Sequence, residues 1–93
     1  TAWVCAADHQ GYQLYRSLSN QGFSIPEDLS ITGFDGITPP EWAPPLTTLR
    51  IPYHEIGLAA GKRLHDLVKK RFEVPQVISI DCMFQKGATT KKI

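Results

Sequence analysis

No run of apolar residues in this 93-residue sequence approaches the ~20 needed to cross a bilayer, and no charged-then-apolar leader opens it, so a soluble chain is expected. Cysteine is scarce. Cys5 and Cys82 stand far apart, with no CxxC spacing and no His or Cys beside them, which argues against a zinc site or a redox pair and for buried free thiols on strands. Nothing in the sequence requires a disulfide between them. An excess of either charge is lacking too: ten basic against nine acidic side chains leave +1, giving no bulk electrostatic reason to grip nucleic acid or an anionic membrane. Also missing are a GxGxxG after a strand, a GxxxxGK[ST] loop, HExxH and GxSxG, so the standard phosphate-binding and catalytic signatures are excluded. There is no internal repeat and no low-complexity tract.

What is present is an ordinary globular composition, 42% hydrophobic and 20% charged, enough for one small domain at most. The chain opens "TAWVCAAD", without Met, and enters a strand almost at once, as expected of a piece of a longer protein. Residues 2–6 have no polar alternate face. Such a strand belongs in a parallel sheet covered on both sides, and a chain of this length cannot easily supply both covers.

Residues 2–6 are predicted as a strand, and Asp8 is placed to cap a helix over about 9–21, with Tyr15 and Leu18 on one face and Leu14 beside them. Gly22 is expected to stop that helix in the left-handed conformation, with Phe23 folding back on its last turn. "IPED" turns the chain into a second strand, 29–34, and the crossover is long enough to make the two strands parallel. Four prolines in residues 37–45 then exclude helix and ladder alike, leaving an irregular loop before a short extended segment at 46–51. Pro52 suits the first turn of a long helix over about 52–70, in which Tyr53, Ile56, Gly57, Ala60, Leu64, Leu67 and Val68 form one stripe of the kind that seeks burial, and this piece by itself is expected to leave it uncovered, as it does a sheet face. A last strand is predicted near 77–84, followed by a basic tail, "TTKKI", expected to fray.

Few side chains are arranged for chemistry. His9 beside Asp8, with Ser17 and Ser19 on the same helix, makes a poor hydrolytic set, because the serines lie about two turns away. His54 and His65 fall on a similar angle of one helix but roughly 16 Å apart in rise, too far to share a metal. The lysines of the second helix interleave with Asp and Glu, as on a solvated face. Position is more informative. Ligands of open parallel sheets bind beyond the carboxyl ends of the strands, and Asp8 and Asp35 stand at or just after two such ends. Capping accounts for Asp8. In "SITGFDG", Asp35 precedes Gly36 and an irregular loop with no helix to cap, so a ligand-facing role and a turn-stabilising role both stay open.

The segments "VCAAD", "SIPEDLSITGFD", "PPLTTLRIPYHEIGLAA" and "ISIDCMFQKGATT", in that order and spacing, resemble the carboxy-terminal stretch of the LacI/GalR family of bacterial transcriptional regulators over essentially the whole chain. The resemblance implies an α/β, periplasmic-binding-protein-like fold of two lobes, of which residues 1–93 supply part of the C-terminal lobe and one helix of the N-terminal lobe, crossing between lobes near 50–53 and 73–76. It implies a cytoplasmic homodimer that binds a sugar or nucleoside-like effector between the lobes and reaches operator DNA only through a separate helix-turn-helix headpiece, with no cofactor and no membrane partner. Asp35 matches the effector-contacting aspartate, Trp42 the loop near the cleft or the dimer contact, and Tyr53 an aromatic at the lobe crossing that can face the ligand. Asp8 completes the candidate set, chiefly as a structural residue. The chain departs from the pattern at Ala7, where many sugar-responsive members carry Asn, and this bears on which ligand the site takes. Dimer contacts are expected from the first helix around Tyr12 and Tyr15 and from the loop around Trp42.

An effector-sensing, non-enzymatic role is therefore expected. The alternative is a secreted sugar-binding protein of the same fold that serves an ABC transporter, although such proteins usually lack the PPLTTLR-proline segment. An enzyme on this sheet would have only Asp8, His9 and Asp35 to work with.

Overall fold

The computed structural model describes residues 1–69 and 77–92. They divide into two compact units, the first formed by Thr1–Ile51 with Met83–Ile93 and the second by Pro52–Cys82.

In the first unit the β-branched and aromatic runs form a four-stranded sheet of β1 (Ala2–Val4), β2 (Ser30–Asp35), β3 (Thr47–Arg50) and β4 (Met83–Gln85), side by side in that order. The first three strands are parallel and β4 runs antiparallel to β3. Parallel pairing of β1 and β2 requires a crossover, supplied by α1 (Asp8–Asn20). Gly22 ends this helix at φ +93°, and the amides of Gly22 and Phe23 donate to the carbonyls of Ser19 and Leu18 at 3.1 and 3.0 Å.

Helix α1 covers one sheet face. Strand pleating turns Ile31 and Gly33 toward it and sends Thr32 and Phe34 to the other side. Tyr12, Leu29, Ile31 and Leu46 form the buried core, with Cys5, Leu14, Tyr15, Leu18, Ile25 and Ala43 packed around them. On the opposite face Val4 is 84% exposed and Phe84 70%, so within this unit the described residues leave that face open.

Two sequence expectations fail at the C-terminal end. The last strand, predicted over 77–84, is confined to Met83–Gln85, where Arg50, Leu49 and Thr48 of β3 are the partners. Residues 77–82 are apolar enough for a strand but pair with nothing on the short β3. Residues 89–92 of the tail do not fray: Thr89 is completely buried, and the Lys91 Nζ donates to the Glu27 carbonyl. The Thr89 hydroxyl and backbone bond into the sheet, which a reading of "TTKKI" as merely polar overlooks.

In the second unit α2 (Tyr53–Val68) starts directly after Pro52. None of its residues is buried, and the stripe is uncovered as expected of this piece by itself; Tyr53 and Leu64 are each 63% exposed. Ile78 and Ile80 share a depression of about 340 Å³ with Ile56, Ala59, Ala60 and Arg63, which is too little apolar material to cover the helix. The units divide between Ile51 and Pro52, beside the expected crossing at 50–53, whereas residues 73–76 lie outside the described residues. Among the described residues no helix is long and apolar enough to cross a membrane.

Candidate functional site

The carboxyl ends of the parallel strands converge on the turn that follows β2. Asp35, the last residue of β2, is half-buried and has φ +138°, a backbone conformation that side-chain-bearing residues rarely adopt. Its carbonyl accepts the Ile51 amide at 3.0 Å, and it pairs with Arg50 across the sheet. Gly36 follows at φ +79°, where a Cβ would fall 2.9 Å from the Cα of Arg50. Only glycine lets the chain turn this close to β3.

Beneath this turn lies Asp8. The sequence expectation that it caps α1 is incorrect: Ala7 occupies the cap position, no side chain caps the helix, and Asp8 is its first residue. Its carboxylate instead reaches across to the strand ends. One oxygen accepts the amides of Gly36 and Ile37 at 2.8 and 3.0 Å, and the other accepts the Thr48 hydroxyl at 2.6 Å. With three donors and a helix N-terminus beside it, a completely buried carboxylate is accommodated. As a candidate ligand contact Asp8 is therefore placed under the rim, out of reach of solvent. Gly33 makes the approach of α1 possible, because a Cβ there would collide with Asp8 Oδ1 and come within 3.1 Å of its Cα.

Trp42 docks on α1. Its ring meets Tyr12 edge-on at 6.4 Å, the Arg16 guanidinium lies 5.2 Å from its centroid, and about half of it remains exposed. Tyr12, expected at a dimer contact, is interior: its hydroxyl accepts the Leu46 amide at 3.2 Å. Burial pushes the Tyr12 phenol above its ordinary value, the Leu46 hydrogen bond opposes this, and the charge of Asp8 adds to it. Tyr53 opens α2 in the second unit and is exposed.

The residues considered for other chemistry are scattered. His9 is exposed and contacts Gln13 at 3.3 Å, and Ser17 accepts a hydrogen bond from Gln21 at 3.5 Å. Among the described residues no group of three or more His, Cys, Asp or Glu is placed to hold a metal ion. Cys5 and Cys82 are free, and Cys82 is exposed and off the strands rather than buried as expected. A depression of about 310 Å³ on the open sheet face is walled mainly by Val4, Phe34, Leu49 and Phe84. Its walls are mainly apolar, and the Thr47 hydroxyl on it is taken by Thr90 and Gly87. The candidate site is thus Asp35 with the turn that follows it, held from below by Asp8. Sequence reasoning missed Thr48 and Gly33, whose only local signals are a polar residue inside "PPLTT" and a glycine inside a strand.

A family model described as a periplasmic binding protein-like domain matches residues 1–90. The HTH-type transcriptional regulator IpsA of Corynebacterium glutamicum is 36% identical over 93 residues, covering 100% of this chain and 25% of its own. The HTH-type transcriptional repressor CytR of Escherichia coli K12 is 43% identical over 91 residues, covering 96% of this chain and 27% of its own. Among solved structures, a LacI family transcriptional regulator from Enterococcus faecium with bound ribose superposes with a TM-score of 0.85 at 34% identity, over 97% of this chain and 34% of that one. A putative transcriptional regulator LacI from Bacillus cereus gives a TM-score of 0.87 at 32% identity, over 98% of this chain and 33% of that one. This chain thus spans about a quarter of the length of these curated relatives and about a third of the solved chains.

Proposed function

Because this chain belongs to the periplasmic-binding-protein-like domains of the LacI/GalR transcriptional regulators, we propose that it forms the C-terminal part of an effector-binding domain and senses a small polyhydroxylated molecule. The observation that carries this reading is Asp35: a half-buried carboxylate at the carboxyl ends of three parallel strands, on a turn whose unusual backbone is pinned from below. A carboxylate there is suited to accept hydrogen bonds from sugar hydroxyls or from the N–H groups of a nucleoside. Support for a pentose-bearing effector comes from the ribose held by the Enterococcus faecium structure. Trp42, half-exposed above α1, is assigned an apolar contact to the ligand or to a second copy.

On this reading the domain works in the cytoplasm, as a homodimer, and does no chemistry on its ligand. Effector binding changes operator affinity through a separate DNA-binding headpiece, in keeping with the names of the relatives. The test is calorimetric titration of the regulator that carries this chain with ribose, arabinose and the four ribonucleosides. Asp35→Asn removes a charge-assisted acceptor, expected to contribute ~1.5–3 kcal/mol, and so weakens the bound probe roughly ten- to a hundredfold. Unchanged affinity in that variant places the ligand elsewhere.

A further inference from the structure

Asp8 is completely buried, and nothing in the functional reading uses it. Its three donors are not local: Gly36 and Ile37 are 28 and 29 positions away in sequence and Thr48 is 40. Two of them are the consecutive amides that immediately follow Asp35. The carboxylate therefore ties α1 to the peptide unit that leaves Asp35 and to the one after it, the turn on which Asp35 ends its strand. The Asp35 backbone is at φ +138°, which a residue other than glycine keeps only when its surroundings hold it there. Gly33, beside Asp8, leaves room for no side chain, so the carboxylate is seated against the same strand that presents Asp35.

We infer that Asp8 is the positioning residue of the effector site: its carboxylate fixes the Gly36–Ile37 turn and thereby aims Asp35 at the ligand. This rests on the assignment of Asp35 to the effector. Asparagine cannot replace Asp8 here. It has one acceptor oxygen instead of two. Turned toward the amides, it strands the Thr48 hydroxyl proton; turned toward Thr48, it sets its own NH₂ against two N–H donors.

The experiment is a double-mutant cycle in the regulator that carries this chain, with the binding probe taken from the pentose and ribonucleoside panel and with amide exchange at Gly36 and Ile37 followed by NMR. Asp8→Asn is expected to weaken the probe about tenfold, and to weaken it little further once Asp35→Asn is present, because both act through one carboxylate. Leu29→Ala, a core change outside this network, is expected to lower the melting temperature at least as much while leaving affinity within about twofold. Exchange at Gly36 and Ile37 should accelerate in Asp8→Asn beyond any global loss of stability. Losses from Asp8→Asn and Asp35→Asn that simply add, or an Asp8→Asn protein that binds the probe like the parent, overturn the proposal. If Asp8→Asn does not fold, Thr48→Val, which loosens the carboxylate at its other oxygen, serves in the same cycle with an expected loss of about two- to threefold. If no probe binds the parent, or Asp35→Asn binds like it, the effector assignment fails and the amide measurement decides alone: retained protection at Gly36 and Ile37 sinks the positioning role, and lost protection keeps it for the turn.

Discussion

Thr89 and Ile31 hold each other twice: the Ile31 amide donates to the Thr89 carbonyl at 2.9 Å, and the Thr89 hydroxyl donates back to the Ile31 carbonyl at 2.6 Å. The same hydroxyl accepts the Thr47 amide at 3.0 Å, so one side chain joins β2, β3 and the C-terminal segment. Ile31 and Thr89 are both fully buried, and no water replaces these bonds if they are lost. Thr89→Val keeps the volume and strands a carbonyl and an amide. At ~1–3 kcal/mol for each of the two unsatisfied buried groups, the loss should be roughly 2–6 kcal/mol. Urea denaturation should show the midpoint falling with an unchanged slope, whereas Thr90→Val, in a half-buried neighbour with one hydroxyl contact, should cost about 1 kcal/mol.

Glycine substitutions should separate close approach from open helix surface. Gly33→Ala drives a methyl into Asp8, whose Cα is backbone and cannot rotate away, so either α1 lifts from β2 or the carboxylate leaves its three donors. Overpacking of this kind costs typically ~1–3 kcal/mol before any hydrogen bond is lost. At Gly57, inside α2, an added Cβ meets nothing within 4 Å, and alanine should stabilise the helix by about 0.5–1 kcal/mol. Thermal melts of the two variants should therefore move in opposite directions.

The elements that sequence reasoning found are those whose signals are local. The β-branched and aromatic run before Asp35, the Gly22 stop and the Pro52 start lie within a few residues of what they determine, and α1, β2 and α2 appear close to their expected bounds. Asp8 was misjudged for the opposite reason. A polar residue before an apolar-periodic stretch is the ordinary signature of a cap, and nothing nearby reveals that its partners are 28 to 40 positions further on. Thr89 was lost in a polar tail in the same way. The stripe of α2 has the right period but lacks enough apolar surface within its unit to bury it, since periodicity reports which face seeks cover and not whether cover is present. For Asp35 position marks only a carboxylate at a strand end, with a ligand-facing and a turn-stabilising role both open; its backbone at φ +138° and the anchor beneath it have no local signal.

The two cysteines should differ in reactivity. Burial pushes the Cys5 thiol above its ordinary value of 9.0, while Cys82 is exposed. The thiolate is the reacting form, so Cys5 is disadvantaged both by access and by ionisation. With a chromogenic disulfide reagent at pH 8, the native chain should consume one equivalent rapidly and a second slowly, and both rapidly in denaturant. Cys82→Ser should remove the fast phase only. Two fast equivalents in the native chain would show that Cys5 is open to solvent.

Alkaline pH should reveal the interior phenol. Tyr12 is 5% exposed, and desolvation raises its pKa above 10.0 in the native chain, whereas in the unfolded chain it ionises near that ordinary value. Below pH 10 both states carry the proton, and the stabilisation from keeping this ring neutral is fully present. As pH rises past 10 the unfolded chain releases the proton first, so unfolding becomes progressively favoured until the native phenol also ionises. Desolvation is reinforced by the buried Asp8 carboxylate, which disfavours a second negative charge nearby, and opposed in part by the Leu46 amide that donates to the hydroxyl. Tyr12→Phe should lower stability at pH 8 by ~1–3 kcal/mol, because the Leu46 amide then has no acceptor. It should also flatten the decline between pH 9 and pH 11. Urea midpoints for both proteins across that range test the sign directly: a parent curve no steeper than that of Tyr12→Phe means that the phenol is not held neutral by the fold.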